Sequence, residues 1–200
     1  LKKIFNLRYG ENPHQRATAF EFSKNKFSKI SGKDLSYNNI CDTEIAIELA
    51  EQFKKTSCVI LKHGNPCGVA LDYRQAEAYS KALKCDRISA FGGIVAFNKT
   101  LSLKTAERIN KIFTEVIIAP KFSEGAKKLL SLKKNLILLE YKSSKIKTPF
   151  HIKTTRNFLL IQEKDNKKII NRDLLIKTKI KPKPKMIEDM LFAFTVCKYL

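Results

Sequence analysis

The 200-residue sequence has no tryptophan, two methionines and seven glycines, and its five cysteines (41, 58, 67, 85 and 197) include no CxxC pair. An odd, scattered set of cysteines in apolar contexts such as Ser57-Cys58-Val59-Ile60 argues for reduced, buried thiols in a cytosolic protein rather than a disulfide framework. No run of eighteen apolar residues occurs, so a transmembrane helix is excluded and no membrane partner is expected. The segment Leu1-Lys2-Lys3-Ile4-Phe5-Asn6 lacks the apolar core of a signal peptide. No GxGxxG fingerprint and no GK[ST] P-loop is present, which leaves NAD or nucleoside triphosphate binding without support. Arginine is scarce as well, with seven residues in a Lys+Arg total of 39. The formal net charge of +20 is therefore mostly lysine, spread from end to end. That distribution reads as solvated lysine-rich faces without a nucleic-acid partner, since arginine is the residue that reads bases and grips phosphate bidentately. A basic nucleic-acid-binding module remains the alternative reading, and a basic surface would also attract small anionic substrates.

What is present suits a globular α/β protein: 44% hydrophobic residues, thirteen of them Phe. Residues 1–40 read as mostly irregular, with turns at Gly10-Glu11-Asn12-Pro13 and Ser31-Gly32-Lys33-Asp34. A helix is expected from an N-cap at Asp42 or Thr43, with Ile45, Leu49 and Phe53 as its apolar stripe. Short apolar runs predict strands at 58–61, 93–97, 116–119, 136–139 and 158–162. Helices are expected between them at 73–83, 104–113 and, capped by Ser123, up to Leu132. Residues 142–153 read as a lysine-rich loop, and 177–185, with Pro182 and Pro184, as an extended linker. A final helix is expected from Met186, with Met190, Phe194 and Cys197 on one face. The absence of Met at position 1 and the stop within that helix suggest a piece of a longer protein.

Three stretches have chemical potential. Lys62-His63-Gly64-Asn65-Pro66-Cys67-Gly68 follows the carboxyl end of a buried strand, where α/β sheets bind ligands. An ammonium beside an imidazole there suits oxyanion stabilisation and proton abstraction, and the same residues equally suit an ordinary surface loop. Arg8-Tyr9-Gly10 suits a phosphate and a stacked heterocycle, or a plain polar loop. Ser89-Ala90-Phe91-Gly92-Gly93 opens a strand and fits a close ligand approach or a bulge. Pro66-Cys67 matches half of a zinc-deaminase signature. Position 70, however, is Ala instead of the second Cys, and His63 is followed by Gly64 and Asn65 instead of x-Glu. No zinc site of that kind is expected. His14 and His151 read as loop residues.

Taken together, five blocks resemble the aminoimidazole carboxamide ribonucleotide (AICAR) formyltransferase domain of the bifunctional purine-biosynthesis family, whose other activity is IMP cyclohydrolase. They are Leu7 to Gln15 (LRYGENPHQ), Leu35 to Asp42 (LSYNNICD), Lys62 to Ala70 (KHGNPCGVA), Ser89 to Ala96 (SAFGGIVA) and Glu115 to Pro120 (EVIIAP). The blocks occur in family order between residue 7 and about 140.

The resemblance implies formyl transfer from the co-substrate 10-formyltetrahydrofolate to the 5-amino group of AICAR, giving formyl-AICAR. It assigns His63 as proton acceptor and Lys62 as the cation that stabilises the oxyanion and assists the leaving group. Arg8, Tyr9, Gly92, Glu115 and Asn39 become substrate-binding positions, with Arg8 at the 5′-phosphate. The implied fold is a cytidine-deaminase-like three-layer α/β/α domain without zinc, one half of an internally duplicated formyltransferase domain. Residues 1–200 would be the N-terminal part of that domain. Its core would run from about 7 to 165, and 177–200 would be a linker and the start of the following helix. The catalytic Asn, most of the folate site, a monovalent-cation site and the cyclohydrolase domain are implied outside these residues. The resemblance further implies a cytoplasmic homodimer with interface active sites, and inactivity of this stretch alone. One departure is Asn157-Phe158, where the family usually has Gly-Gly; no function is expected for either residue.

Overall fold

The computed structural model describes residues 2–21, 27–142 and 150–200, which form two compact units. The first spans Leu1–Ser143 with Tyr199–Leu200, and its centre is a six-stranded sheet. Five strands of four to seven residues run through the core: β4 (Ser57–Lys62), β5 (Asn65–Leu71), β6 (Ile94–Phe97), β7 (Val116–Ala119) and β8 (Ile137–Glu140). With β3 (Ser28–Ser31) at one edge, the order is β3-β8-β7-β6-β4-β5. Strands β6, β7 and β8 are parallel to one another, while β3, β4 and β5 run antiparallel to their neighbours.

The continuously apolar runs follow from burial on both faces. Cys58 and Ile60 of β4, Val95 of β6 and Ile117 of β7 join one cluster with α2 (Gln75–Cys85), α3 (Leu103–Ile109) and α4 (Glu124–Ser131). The alternate residues Val59, Leu61, Ala96 and Ile118 are equally buried, and α1 (Tyr37–Ala50) packs on β4, β6 and β7. Helices thus cover a mixed sheet in an α/β architecture. Gly68 shows how closely one layer sits on another, because a Cβ there would lie 2.0 Å from the Ala82 carbonyl oxygen of α2.

Several sequence expectations need correction. Residues 1–40 are not mostly irregular: β1 (Lys2–Asn6) pairs with β2 (Thr18–Glu21), and β3 joins the main sheet. Helix α1 begins at Tyr37, well before Asp42, because Ser36 and Asn39 form a reciprocal capping box. The Asn39 N–H donates to Ser36 Oγ at 3.2 Å, and the Ser36 N–H donates to Asn39 Oδ1 at 3.0 Å. Phe53 lies beyond the end of that helix. The polar segment after Lys62 is largely strand β5, paired back on β4. Helix α3 ends at Ile109 rather than Phe113. Ser123 does cap α4, accepting from the Ala126 N–H at 3.3 Å. All five cysteines are free, but only Cys58 is buried; Cys85 and Cys197 are exposed.

The second unit, Ser144–Lys198, holds the hairpin β9 (Phe150–Thr154) and β10 (Leu159–Glu163), and α5 (Pro184–Cys197). The loop expected over 142–153 is strand from Phe150, and its residues 143–149 lie outside the described ones. His151 accordingly sits in a strand, and Asn157 in the hairpin turn. Pro184 does not prevent helix here; it occupies the first turn, where the missing N–H is not needed. None of the described residues of this unit is buried, and the Met186, Met190 and Phe194 face of α5 is about half exposed. Among the described residues no helix is long and apolar enough to cross a membrane.

Candidate active site

Strand β4 runs opposite to β6, so its carboxyl end meets the amino ends of β6 and β7 at one rim of the sheet. Lys62 is the last residue of β4, and Gly93 and Glu115 immediately precede β6 and β7. Three of the sequence blocks therefore reach the same edge. The rim is a mixed one, not the carboxyl-terminal edge of a parallel sheet that the strand pattern suggests.

The β4–β5 connection is tight. Lys62 pairs with Asn65, leaving His63 and Gly64 as a two-residue turn with φ of 53° and 78°. Positive φ at both positions is the type I′ pattern, whose twist matches that of the flanking strands. Glycine adopts it freely. His63, the one non-glycine residue at positive φ among those described, does not. Helix α1 supplies the restraint: Asp42 Oδ2 accepts the His63 N–H at 3.1 Å, and Oδ1 accepts the Gly64 N–H at 2.9 Å. Burial pushes the Asp42 carboxyl above its ordinary value, opposed by the Gly64 and His63 N–H groups and the His63 imidazole. His63 itself is exposed.

Lys62 points across the rim, its ammonium donating to the Phe91 carbonyl at 2.9 Å. Gly92 follows at φ 73°, and its N–H donates to the Phe113 carbonyl at 2.9 Å. A Cβ on Gly92 would sit 3.3 Å from the Phe113 ring, so both backbone and neighbour favour glycine. The Glu115 N–H closes the junction on the Gly93 carbonyl at 3.0 Å.

Arg8 arrives from the loop between β1 and β2. Its N–H donates to the Leu35 carbonyl at 2.9 Å, and the Tyr37 N–H donates to the Tyr9 carbonyl at 3.1 Å, which fixes the loop against the start of α1. The guanidinium lies 4.7 Å over the Tyr9 ring, donates to Tyr9 Oη at 2.9 Å, and reaches Glu115 Oε1 at 3.6 Å. Lys33 Nζ meets the same carboxylate oxygen at 2.9 Å. Burial alone would raise the Glu115 pKa. The hydrogen bond and charge of Lys33, the Asn39 side chain and the Arg8 charge outweigh it, and the net shift is downward. Two cations against one carboxylate leave this corner positive.

Arg8, Tyr9, Asn39 and Glu115 thus form one cluster, joined through the 113–115 segment to Gly92 and through Phe91 to Lys62. Sequence reading missed Lys33, taken as a turn residue, and Asp42, taken as a helix cap. The Ser36-x-x-Asn39 capping pattern was the available signal, because it starts α1 early enough to put Asp42 inside the helix. Among the described residues no three His, Cys, Asp or Glu side chains group at metal-ligand spacing.

The lowered Glu115 pKa has a testable consequence. A carboxylate depressed by folding adds stability above its unfolded pKa and loses it as pH falls through the folded value. The melting-temperature gap between wild type and Glu115→Gln is therefore expected to hold near neutral pH and to close as pH falls below the ordinary glutamate value of about 4.3. A gap that persists unchanged at the acid end would contradict the ion cluster.

A family model for the AICARFT/IMPCHase bienzyme matches residues 1–200. The chain is also similar to the "Bifunctional purine biosynthesis protein PurH" of Caldicellulosiruptor saccharolyticus, with 44% identity over 209 aligned residues. That alignment covers 100% of this chain and 40% of the relative. The matched stretch contains every residue of the rim described above. On both comparisons, the chain belongs to the AICARFT/IMPCHase bienzyme family.

Proposed function

We propose that this chain carries the nucleotide-facing part of an AICAR formyltransferase, acting in purine biosynthesis with 10-formyltetrahydrofolate as formyl donor. The observation that carries the reading is the meeting of Lys62 and His63 with the Arg8–Glu115 cluster at one rim of the sheet. The AICAR amine is a weak nucleophile, because its lone pair is delocalised into the imidazole and carboxamide. A base that removes its proton as the new bond forms answers that difficulty. His63 is that base. The amine nitrogen bonds to the formyl carbon, the bond from that carbon to the folate nitrogen breaks, and the folate nitrogen leaves with a proton. The Lys62 ammonium stands where the formyl oxygen gains negative charge, and assists departure of the folate.

Arg8 binds the 5′-phosphate and Tyr9 flanks the nucleotide. Gly92 admits it close to the backbone. Glu115 presents an acceptor, and Asn39 holds Glu115 in place. The sheet covered by helices on both faces supports the layering of a cytidine-deaminase-like domain; in this reading the domain holds no zinc and is one half of a duplicated one. In this reading residues 1–200 belong to one formyltransferase domain, with 177–200 the linker and first part of the next helix. The full-length protein also closes the ring to inosine monophosphate, and works in the cytoplasm as a homodimer with its sites at the subunit interface. Since the chain spans 40% of its relative's length, the 200 residues alone are expected to lack transfer activity.

Arg8→Ala tests the binding half of the reading. Losing a charge-assisted contact to phosphate is worth about 1.5–3 kcal/mol, or about 10- to 100-fold in the dissociation constant. Calorimetry on the full-length protein should show AICAR weakened by that factor. An unchanged constant would contradict the role given to Arg8.

A further inference from the structure

The His63 turn raises a question that the formyltransferase reading leaves open: what holds a non-glycine residue at φ 53° with its side chain exposed at the rim? Gly64 beside it is unconstrained by packing, since a Cβ there would meet nothing within 4 Å. Packing against the turn therefore does not explain the conformation. The polar contacts do. Both N–H groups of the turn converge on one carboxylate, at 3.1 and 2.9 Å, one to each oxygen. That carboxylate stands on α1, whose start is fixed by the Ser36–Asn39 capping box. The same helix thus positions Asn39 toward Glu115 and Asp42 toward His63.

We propose that Asp42 is the positioning residue for the His63 base: by accepting both N–H groups of the turn it holds His63 in its left-handed conformation and so fixes where the imidazole stands. The proposal rests on the reading of His63 as proton acceptor. The ionised form of Asp42 is disfavoured by burial, so a carboxylate at this place serves the turn and the imidazole at some expense to folding. Asparagine, the isosteric neutral residue, has one acceptor oxygen where the carboxylate uses two, so it cannot offer a separate oxygen to each N–H group.

Other charged and titratable groups near Asp42 are few. Glu115 acts on it from the head of β7, Cys41 and Tyr37 neighbour it on α1, and Lys62 and Cys67 lie in the hairpin. Burial raises both the Cys41 and the Cys67 thiol, and Glu115 is lowered.

The test compares Asp42→Ala, Asp42→Asn and His63→Ala in the full-length protein, following kcat and KM of formyl transfer. Misplacing a catalytic group by about 1 Å costs about 100-fold, so Asp42→Ala should lose about that factor in kcat with the KM for AICAR little changed. Asp42→Asn, which preserves shape and guards against a failure to fold, should lose less. A purely structural role would raise the KM for AICAR along with the loss in kcat. Combining Asp42→Ala with His63→Ala should add no further loss. If His63→Ala is inactive while Asp42→Ala keeps kcat within about threefold or raises KM as much as it lowers kcat, the proposal is overturned and the base assignment survives. Should His63→Ala itself retain transfer, the reading beneath it fails as well.

Discussion

Replacing His63 by Ala in the full-length protein should reduce formyl transfer by about 10²- to 10⁴-fold, the usual contribution of a positioned general base. The loss should fall on kcat, because the imidazole acts on the amine in the transition state and Arg8 supplies the ground-state grip on the phosphate. Ring closure to inosine monophosphate, which the proposal gives to the rest of the full-length protein, should proceed at its normal rate. That contrast separates a catalytic defect from a folding defect within a single sample. Transfer within a few-fold of wild type would remove His63 from the mechanism.

A large stability effect is expected at Gly68. This residue lies in β5 directly beneath α2, and an alanine Cβ would stand 2.0 Å from the Ala82 carbonyl oxygen and 2.8 Å from its carbon. Both are backbone atoms, so no side-chain rotation relieves the clash. Either the helix lifts from the sheet or β5 bends away. Gly68→Ala should therefore cost about 3 kcal/mol or more, at the upper end of overpacking effects. Gly64→Ala is the control: its Cβ meets nothing, leaving only the backbone penalty of φ 78°, about 1 kcal/mol. Urea denaturation of the two variants should rank them in that order. Equal midpoints would mean that the helix–sheet spacing is not as described.

Both sites sit in the same hairpin, and together they show what was legible in the sequence. The buried run Cys58–Leu61 is recognisable as a strand because burial on both faces demands continuous apolar residues. The reversal at His63-Gly64 is not, because a His in a type I′ turn runs against local preference and is held there by Asp42, twenty-one positions earlier. For the same reason the direction of β4 relative to β6 could not be read: periodicity reports which faces are buried, not which way a neighbouring strand runs. The start of α1, by contrast, was within local reach, since Ser36 and Asn39 lie three residues apart in a capping box. Asp42 looks like a good cap in isolation, yet the real cap is Ser36 and Asp42 is turned to the hairpin. The pairing of Lys33 with Glu115 joins distant segments and leaves no local trace.

The candidate residues of the site, unlike their arrangement, could be named from the sequence. Lys62, His63, Arg8, Tyr9, Gly92, Glu115 and Asn39 were all available from five short blocks, and the rim gathers them through contacts that single blocks do not reveal. The spread of lysine, by contrast, spoke only of surface.

The most direct measurement is a crystal structure of the full-length protein with AICAR bound. Its 5′-phosphate should contact the Arg8 guanidinium, and its 5-amino nitrogen should lie within hydrogen-bond reach of the His63 imidazole, about 2.6–3.2 Å directly or through one water. A nucleotide seated elsewhere, or one whose amine faces away from the β4–β5 turn, would contradict the assignment.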